Sequence, residues 1–341
     1  MKKKILFVTS LYSSSNYIYH ILKYGNIQFN YIIASCNAGS IIFKKNKKNY
    51  YKIKNFSHLQ ELIISFQPDI IFTIPQFYES IEKKTISFAI KKNIKTISAI
   101  DHWYPLVERF KHRRKNEKFQ RSSLLSPDLI IVNDKKIKNQ LKVAMKKSIL
   151  KPLGNPILEH RWKEFKLSKL ESKFKKRKIN KPVITFISEP YSDIDTKFRK
   201  IIYPGFNEKK VFRDIIDICG NEFEILIKIH PNEKKEKYGL YKKKFRIIQN
   251  ENIDDLLCFS HKIIGMGSLL IYEAALIRND VISYRPFEKF PFHGNTIKAT
   301  MLCKDKKSLT KQMYSKKSVI NFKKNLFKGS TDNIVKIISK F

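Results

Sequence analysis

Short apolar runs alternate with amphipathic stretches through the first half of the chain. KILFVTSL is continuously apolar and predicts a buried strand, followed by a polar turn at Ser13–Asn16 and a helical stretch through Leu22. FNYIIASC predicts a second strand. Phe56–Phe66 reads as a helix, because Leu59, Leu62, Ile63 and Phe66 recur at three- and four-residue spacing. Pro68-Asp69 then introduces the apolar run IIFTIP, Ile81–Lys91 predicts a helix, and the strand IKTISAI leads into DHWYP. DLIIVN follows Ser126-Pro127 as a further strand. Apolar strands separated by amphipathic helices predict a parallel sheet covered on both faces.

The pattern breaks near Leu153-Gly154-Asn155-Pro156, and Trp162–Lys181 is lysine-rich with few apolar anchors. The alternation then restarts. PVITFIS, FEILIKIHP, FRIIQN, HKIIGMGS and DVISYRP read as strands, and Val211–Cys219, Ile253–Phe259 and Leu269–Leu276 as helices. The expected class is α/β, with two Rossmann-like domains facing a cleft: residues 1–155, a linker over 156–181, and residues 182–341. In open sheets of this kind ligands bind beyond the carboxyl ends of the strands.

Composition narrows the classes. The chain has 341 residues, 42% of them apolar, with 25 Phe and 16 Tyr, which is enough for sizeable cores and excludes a disordered chain. Cys36, Cys219, Cys258 and Cys303 form no CxxC pair, which argues against a disulfide framework or a zinc ribbon. No apolar run approaches the ~18 residues of a membrane span, and MKKKILFVTS reads as a first strand rather than a secretion signal. A cytoplasmic location is expected. The net charge of +39 is carried mainly by lysine, since only 11 of the 69 basic residues are Arg. A nucleic-acid reader favours the guanidinium fork, so no nucleic-acid partner is expected. The surplus reads as a solvated, lysine-coated surface, and otherwise as adaptation to an anionic substrate or to the anionic inner face of a membrane.

Four strand ends carry candidate chemistry. In ILIKIHP, Pro231 stops the strand and His230 either donates to a phosphate or sugar oxygen or only caps the strand end; Lys228 lies in the same run. In IIGMGSLLIYEAAL a strand enters a turn with Gly265, Gly267 and Ser268 and then a helix. Glycine admits a ligand close to the backbone, and the helix start favours an anion. Glu273, inside that helix, can accept both hydroxyls of a ribose or is a surface residue. Ser188 and Glu189 in TFISEPYSD either border the same site or cap their own loop. In ISAIDHWYPLVERF, Asp101 and His102 precede Trp103 and Tyr104; an aromatic setting can shift a carboxylate or imidazole toward general-base use. Alternatively Asp101 is a cap, Trp103 is interdomain core, and Glu108 and Arg109 pair with each other. The GMGS turn is neither a dinucleotide fingerprint nor a P-loop, and no HExxH, GxSxG or kinase signature occurs. Asp193-Ile194-Asp195 has Asp-x-Asp spacing but a polar setting, so neither a metal site nor a cofactor is expected.

The strand end KIHP, followed by GMGSLLIYEAAL and VISYRP, resembles the donor half of bacterial GT-B glycosyltransferases of surface-polysaccharide synthesis. PDLIIVND…KPLGNP resembles the end of the first domain in that superfamily, and IDHWYPLVERF is similar to a segment of such enzymes. The resemblance implies a UDP- or CMP-linked sugar as donor and a glycan or lipid-linked acceptor. It implies that His230 and Ser268 contact phosphate, that Glu273 holds the ribose, and that Asp101, or else His102, takes the acceptor proton. The implied reaction is metal-independent transfer with inversion at the anomeric carbon. The alternatives in the same fold are a nucleotide-sugar 2-epimerase, which needs several acidic residues, a polyol-phosphate transferase, and a binding protein without activity.

Overall fold

The computed structural model describes residues 2–112, 123–165, 181–193, 203–230, 233–241, 243–249, 253–289, 300–315 and 327–341. Contacts divide the chain into two compact units, residues 1–160 with 325–341, and residues 161–324. Each is an α/β unit built on a parallel sheet, as the sequence pattern predicts.

In unit 1 the strands are β1 (Lys4–Thr9), β2 (Asn30–Ser35), β3 (Tyr51–Lys52), β4 (Ile70–Thr73), β5 (Lys95–Ala99), β6 (Lys111–His112), β7 (Ser123–Leu124), β8 (Leu129–Val132) and β9 (Ile149–Pro152). The helices are α1 (Tyr12–Tyr24), α2 (Gly39–Lys45), α3 (Phe56–Phe66), α4 (Ile81–Lys91), α5 (Lys135–Leu141) and α6 (Pro156–Glu164). Seven strands form one sheet in the order β3-β2-β1-β4-β5-β8-β9, and β6 and β7 make a small antiparallel pair. The apolar runs become strands because both faces of the sheet are covered. Leu6 and Val8 of β1 pack with Leu59 and Ile63 of α3 and Ile71 of β4 in one core. Side-chain oxygens of Asn55 and Asp134 accept the His58 and Ile137 N–H groups and fix the starts of α3 and α5. The expected polar turn at Ser13–Asn16 lies instead inside α1: Ser14 Oγ donates to Ile74 O at 3.3 Å, and Ser15 Oγ lies 3.0 Å from Thr9 Oγ1. Those serines are buried polar contacts of a helix, which polarity alone does not reveal.

Unit 2 contains β10 (Val183–Ile187), α7 (Glu208–Cys219), β11 (Glu224–Lys228), β12 (Arg246–Ile248), α8 (Ile253–Phe259), β13 (Lys262–Gly265), α9 (Leu269–Ala275), β14 (Val281–Tyr284), β15 (Met301–Cys303) and α10 (Lys306–Met313). Its sheet order is β12-β11-β10-β13-β14-β15, all parallel. Phe186, Ile227, Ile264 and Ile282 meet Val211, Phe212 and Ile215 of α7 in the core.

The division falls within α6, between His160 and Arg161. Most of the expected linker, residues 166–180, lies outside the described residues. The chain end differs from the expected domain of 182–341, because α11 (Ser330–Lys340) belongs to unit 1. The Glu159 carboxylate accepts the Gly329 and Thr331 N–H groups and the Thr331 hydroxyl at 2.6–2.7 Å, and Ile334, Val335 and Ile338 are buried. Each such apolar side chain contributes roughly 1.5–3 kcal/mol. Gly154 permits the approach: its φ is +91°, and a Cβ there would lie 2.0 Å from Ser330 Oγ.

Candidate functional site

In unit 2 the strand order reverses between β10 and β13, with β11 and β12 on one side and β14 and β15 on the other. Such a switch point opens a crevice at the carboxyl ends. Ser188 and Glu189 follow β10, and the turn Met266-Gly267-Ser268 follows β13. One oxygen of the buried Glu189 carboxylate accepts the N–H groups of Met266, Gly267 and Ser268 at 3.2, 2.6 and 2.9 Å. The place that an external anion would take is thus filled by a side chain. Burial pushes the Glu189 carboxyl above the usual carboxylate range, although the hydrogen bonds from Gly267, Tyr191 and Ser268 and the charge of Arg285 oppose the rise. Gly265 has no room for a side chain, since a Cβ would meet Ile271 Cγ2 at 2.4 Å. Ser268 is the N-cap residue of α9, but its hydroxyl does not cap; it is buried and has no hydrogen-bond partner among the described residues.

The second strand end is β11. The His230 N–H donates to Glu233 at 2.8 Å. The other Glu233 oxygen accepts from Ser188 Oγ at 2.9 Å and from Lys237 Nζ at 2.8 Å. Lys237 also meets Glu208 at 2.5 Å and Asp193 at 3.0 Å, and Ser188 Oγ lies 2.6 Å from the Tyr238 hydroxyl. This network fixes the backbone at His230. Burial, with the charges of Lys228 and Lys237, lowers the imidazole to about 4. His230 is therefore neutral near pH 7, with one ring nitrogen donating and the other accepting. Lys228 Nζ donates to the carbonyls of Ile229 and Gln249 at 3.2 and 2.7 Å, so its ammonium holds the strand end. Glu273 is ion-paired with Arg161 Nε at 3.0 Å, and Arg161 also binds Asp254. Pro231 and the stretch 194–195 lie outside the described residues.

In unit 1 the order reverses between β1 and β4. Glu82, in the first turn of α4, crosses that point. Its Oε1 accepts the Ser10 N–H at 2.6 Å and the Ser10 hydroxyl at 2.8 Å, and Oε2 lies 3.0 Å from the same hydroxyl. Glu82 is fully buried, and burial raises its carboxyl above the ordinary range. Its charge adds to burial in lifting the Cys36 thiol to about 11 and the Tyr78 phenol further up. Asp101 follows β5 and forms a buried ion pair with Arg109 at 2.8 Å. Arg109 also donates to the carbonyls of Pro105 and Pro75 at 2.8 and 3.1 Å, so it does not pair with Glu108 as the sequence allowed. The Tyr17 hydroxyl is buried without a hydrogen-bond partner among the described residues, and burial and the Asp101 charge both raise its pKa. His102 Nδ1 lies 3.1 Å from the Tyr104 carbonyl oxygen. Trp103 is buried inside unit 1 and donates to Asp134 at 2.8 Å.

The strand ends named by the sequence therefore gather Ser188, Glu189, Gly265, Gly267, Ser268 and His230 at the unit 2 sheet, and Asp101 and His102 at the unit 1 sheet. Glu82, Glu233, Lys237 and Tyr17 were missed. Glu82 sits in IEKKTISFAIK, where an acidic first-turn residue is ordinary, and Glu233 and Lys237 have the i, i+4 spacing of a solvated pair.

No family model matches this sequence, and no curated protein matches it. Solved structures do match. The UDP-GlcNAc 2-epimerase from Methanocaldococcus jannaschii in complex with UDP-GlcNAc and UDP is similar with a TM-score of 0.66 at 16% identity, over 99% of this chain and 100% of that one. The UDP-GlcNAc 2-epimerase from Neisseria meningitidis bound to UDP-GlcNAc is similar with a TM-score of 0.59 at 13% identity, over 99% and 98%. The wall teichoic acid polymerase TagF is similar with a TM-score of 0.54 at 12% identity, over 99% and 88%. At these identities the likeness shows the fold, a GT-B-like pair of Rossmann-type units. The expectation of an inverting glycosyltransferase is corrected by the same finding: the two neighbours above that match over nearly all of both chains are 2-epimerases, not glycosyltransferases.

Proposed function

We propose that the chain is a nucleotide-sugar 2-epimerase. The observation that carries this reading is the pair of buried carboxylates, Glu82 and Asp101, beyond the strands of unit 1. Inversion at C2 takes a proton from one face of the sugar and returns one to the other. A route that needs no oxidant couples loss of the C2 proton to departure of the nucleotide from C1. The C2–H and C1–O bonds break, a C1=C2 double bond forms, and the nucleotide leaves with the bonding pair. In return, a proton adds to the opposite face of C2 and the nucleotide oxygen rejoins C1. Two carboxyl groups in different environments suit such an exchange. Asp101, paired with Arg109, is assigned as the carboxylate base. Glu82, whose burial favours the protonated form, is assigned as the acid.

The nucleotide is assigned to unit 2. The His230 imidazole and the Ser268 hydroxyl, which has no partner among the described residues, contact phosphate, and Glu273, oriented by Arg161, holds the ribose. A hydrogen bond from His230 to the leaving phosphate strengthens as charge builds there. The base and the sugar follow the relatives only by analogy, with UDP-GlcNAc as the first substrate to test. An epimerase has no acceptor, so the expected glycan or lipid-linked acceptor falls with glycosyl transfer. Among the described residues no helix is long and apolar enough to cross a membrane. Association with anionic membranes rests on the lysine surplus, and pelleting with anionic vesicles only at low salt tests it.

Incubation of the purified protein with UDP-, CMP- and CDP-linked substrates in the absence of acceptor tests the reading. The 2-epimer of one nucleotide sugar should accumulate to a fixed ratio from either side. Turnover only of CDP-glycerol with a polyol-phosphate acceptor would replace it by the transferase reading that the TagF likeness allows.

A further inference from the structure

A groove of about 710 Å³ opens along the outer edge of unit 1, between the amino-terminal half of β2 and the segment 47–51. It arises because β3 is only two residues long and pairs with Ala34 and Ser35 alone, leaving Tyr31–Ile33 without a strand on that side among the described residues. The volume lies in the range of small-ligand sites.

Three tyrosines line the groove. Tyr31 stands edge-on to Phe7 and Phe29 at 6.1 and 6.4 Å, and Tyr50 leans on Phe43 at 5.9 Å. Phe7, Phe29 and Phe43 are buried, so two of the rings are held by the core before any ligand arrives. Tyr51 is 52% exposed. Fixed, amphipathic rings offer contact area at low entropic cost.

Lys47 and Lys48 complete the wall. Lys47 closes α2 with φ +52°, while the Lys48 N–H returns to Phe43 O at 2.9 Å. That is the left-handed end of a helix, where glycine is the ordinary residue. A lysine placed there bears conformational strain and puts a charge on the lip of the groove. The segment that forms the groove carries charge of one sign: residues 1–60 hold ten lysines, no arginine and no acidic residue.

We propose that this groove binds an anionic saccharide chain, at a site distinct from the strand-end residues assigned to the nucleotide sugar. Tyrosine rings cover the C–H faces of sugar rings, phenol hydroxyls and the Asn49 amide answer sugar hydroxyls, and the two lysines answer carboxylate or phosphate substituents. A concave wall suits a chain rather than a bilayer plane.

Titration of the full-length protein with tetragalacturonate, followed by calorimetry, tests the site, with maltotetraose, a uridylate oligomer and phosphatidylglycerol vesicles as comparison probes. Tetragalacturonate should bind, and maltotetraose should bind at least about tenfold more weakly. Lys47→Gly relieves the left-handed lysine, so it should keep or raise the melting temperature while weakening tetragalacturonate at least about fivefold. Tyr51→Ala, at an exposed ring, should weaken it similarly without loss of fold. Absence of tetragalacturonate binding, binding unchanged in both variants, or equal binding of maltotetraose would overturn the proposal. So would uridylate or vesicle binding that is tighter than that of tetragalacturonate and is lost in the same two variants.

Discussion

The Glu189 carboxylate accepts the Gly267 N–H at 2.6 Å, across the point where the strand order of unit 2 changes. Unit 1 repeats the arrangement with the polarity of the chain reversed: Glu82, beyond β4, accepts the Ser10 N–H beyond β1 at 2.6 Å. In both units a buried carboxyl closes the crevice from within, and burial raises its pKa. In unit 2 the carboxyl oxygen satisfies the backbone donors of the turn, and in its charged form it repels an external anion.

Replacing Glu189 therefore has two separable consequences. Glu189→Gln keeps an oxygen acceptor for the three N–H groups and removes the charge. UDP affinity, measured by calorimetry near pH 7.5, should rise by about tenfold. Glu189→Ala leaves buried donors unpaired and should cost about 2–4 kcal/mol in urea unfolding. A Gln variant that binds UDP more weakly than the parent would show that the carboxylate supports the nucleotide instead of competing with it.

Asp101 and Arg109 form a buried pair, so removing one partner strands the other. Asp101→Asn should lower stability by about 3 kcal/mol or more. The double variant Asp101→Asn with Arg109→Met should recover most of that loss, yet epimerisation should remain depressed by about 10²-fold or more. Recovery of activity together with stability would reduce Asp101 to a structural partner.

Stability should vary with pH in two opposite senses. The folded-state pKa of His230 is about 4 against an ordinary 6.5. Between those values the folded protein binds fewer protons than the unfolded chain, so this contribution is present above pH 6.5 and is lost as pH falls toward 4. His230→Gln should flatten that limb of the unfolding curve. Glu82 is displaced upward, so its folded form holds a proton that the unfolded chain has released, and stability is lost as pH rises through its folded pKa. Glu82→Gln should gain on the parent at pH 8 relative to pH 5. A constant difference at both values would contradict the buried-carboxyl account.

Much of the fold is legible in the sequence because parallel strands covered on both faces are uninterrupted apolar runs: KILFVT, IIFT, LIIV and VITFI all became strands. Short elements were not legible. β15 has three residues, and only Cys303 among them is fully buried. The docking of α11 on unit 1 depends on Glu159, some 170 residues away, and no local pattern carries such a partner. The candidate site was legible to the level of strand ends. Which atoms meet there was not: the glycine turn looked open to phosphate, but its N–H groups are taken by Glu189, and Glu273 faces Arg161. Glu82, assigned above as the acid, was not legible in the sequence, because an amphipathic helix carries glutamate in its first turn as a matter of course.

The most direct test of the central claim is proton NMR of UDP-GlcNAc with the purified protein in D2O, without any acceptor. The account predicts that the C2 proton signal fades as deuterium enters at C2 and that the 2-epimer appears, both strongly reduced in Asp101→Asn with Arg109→Met. Retention of the C2 proton with no epimer, while UDP is released only after an acceptor is added, would contradict it.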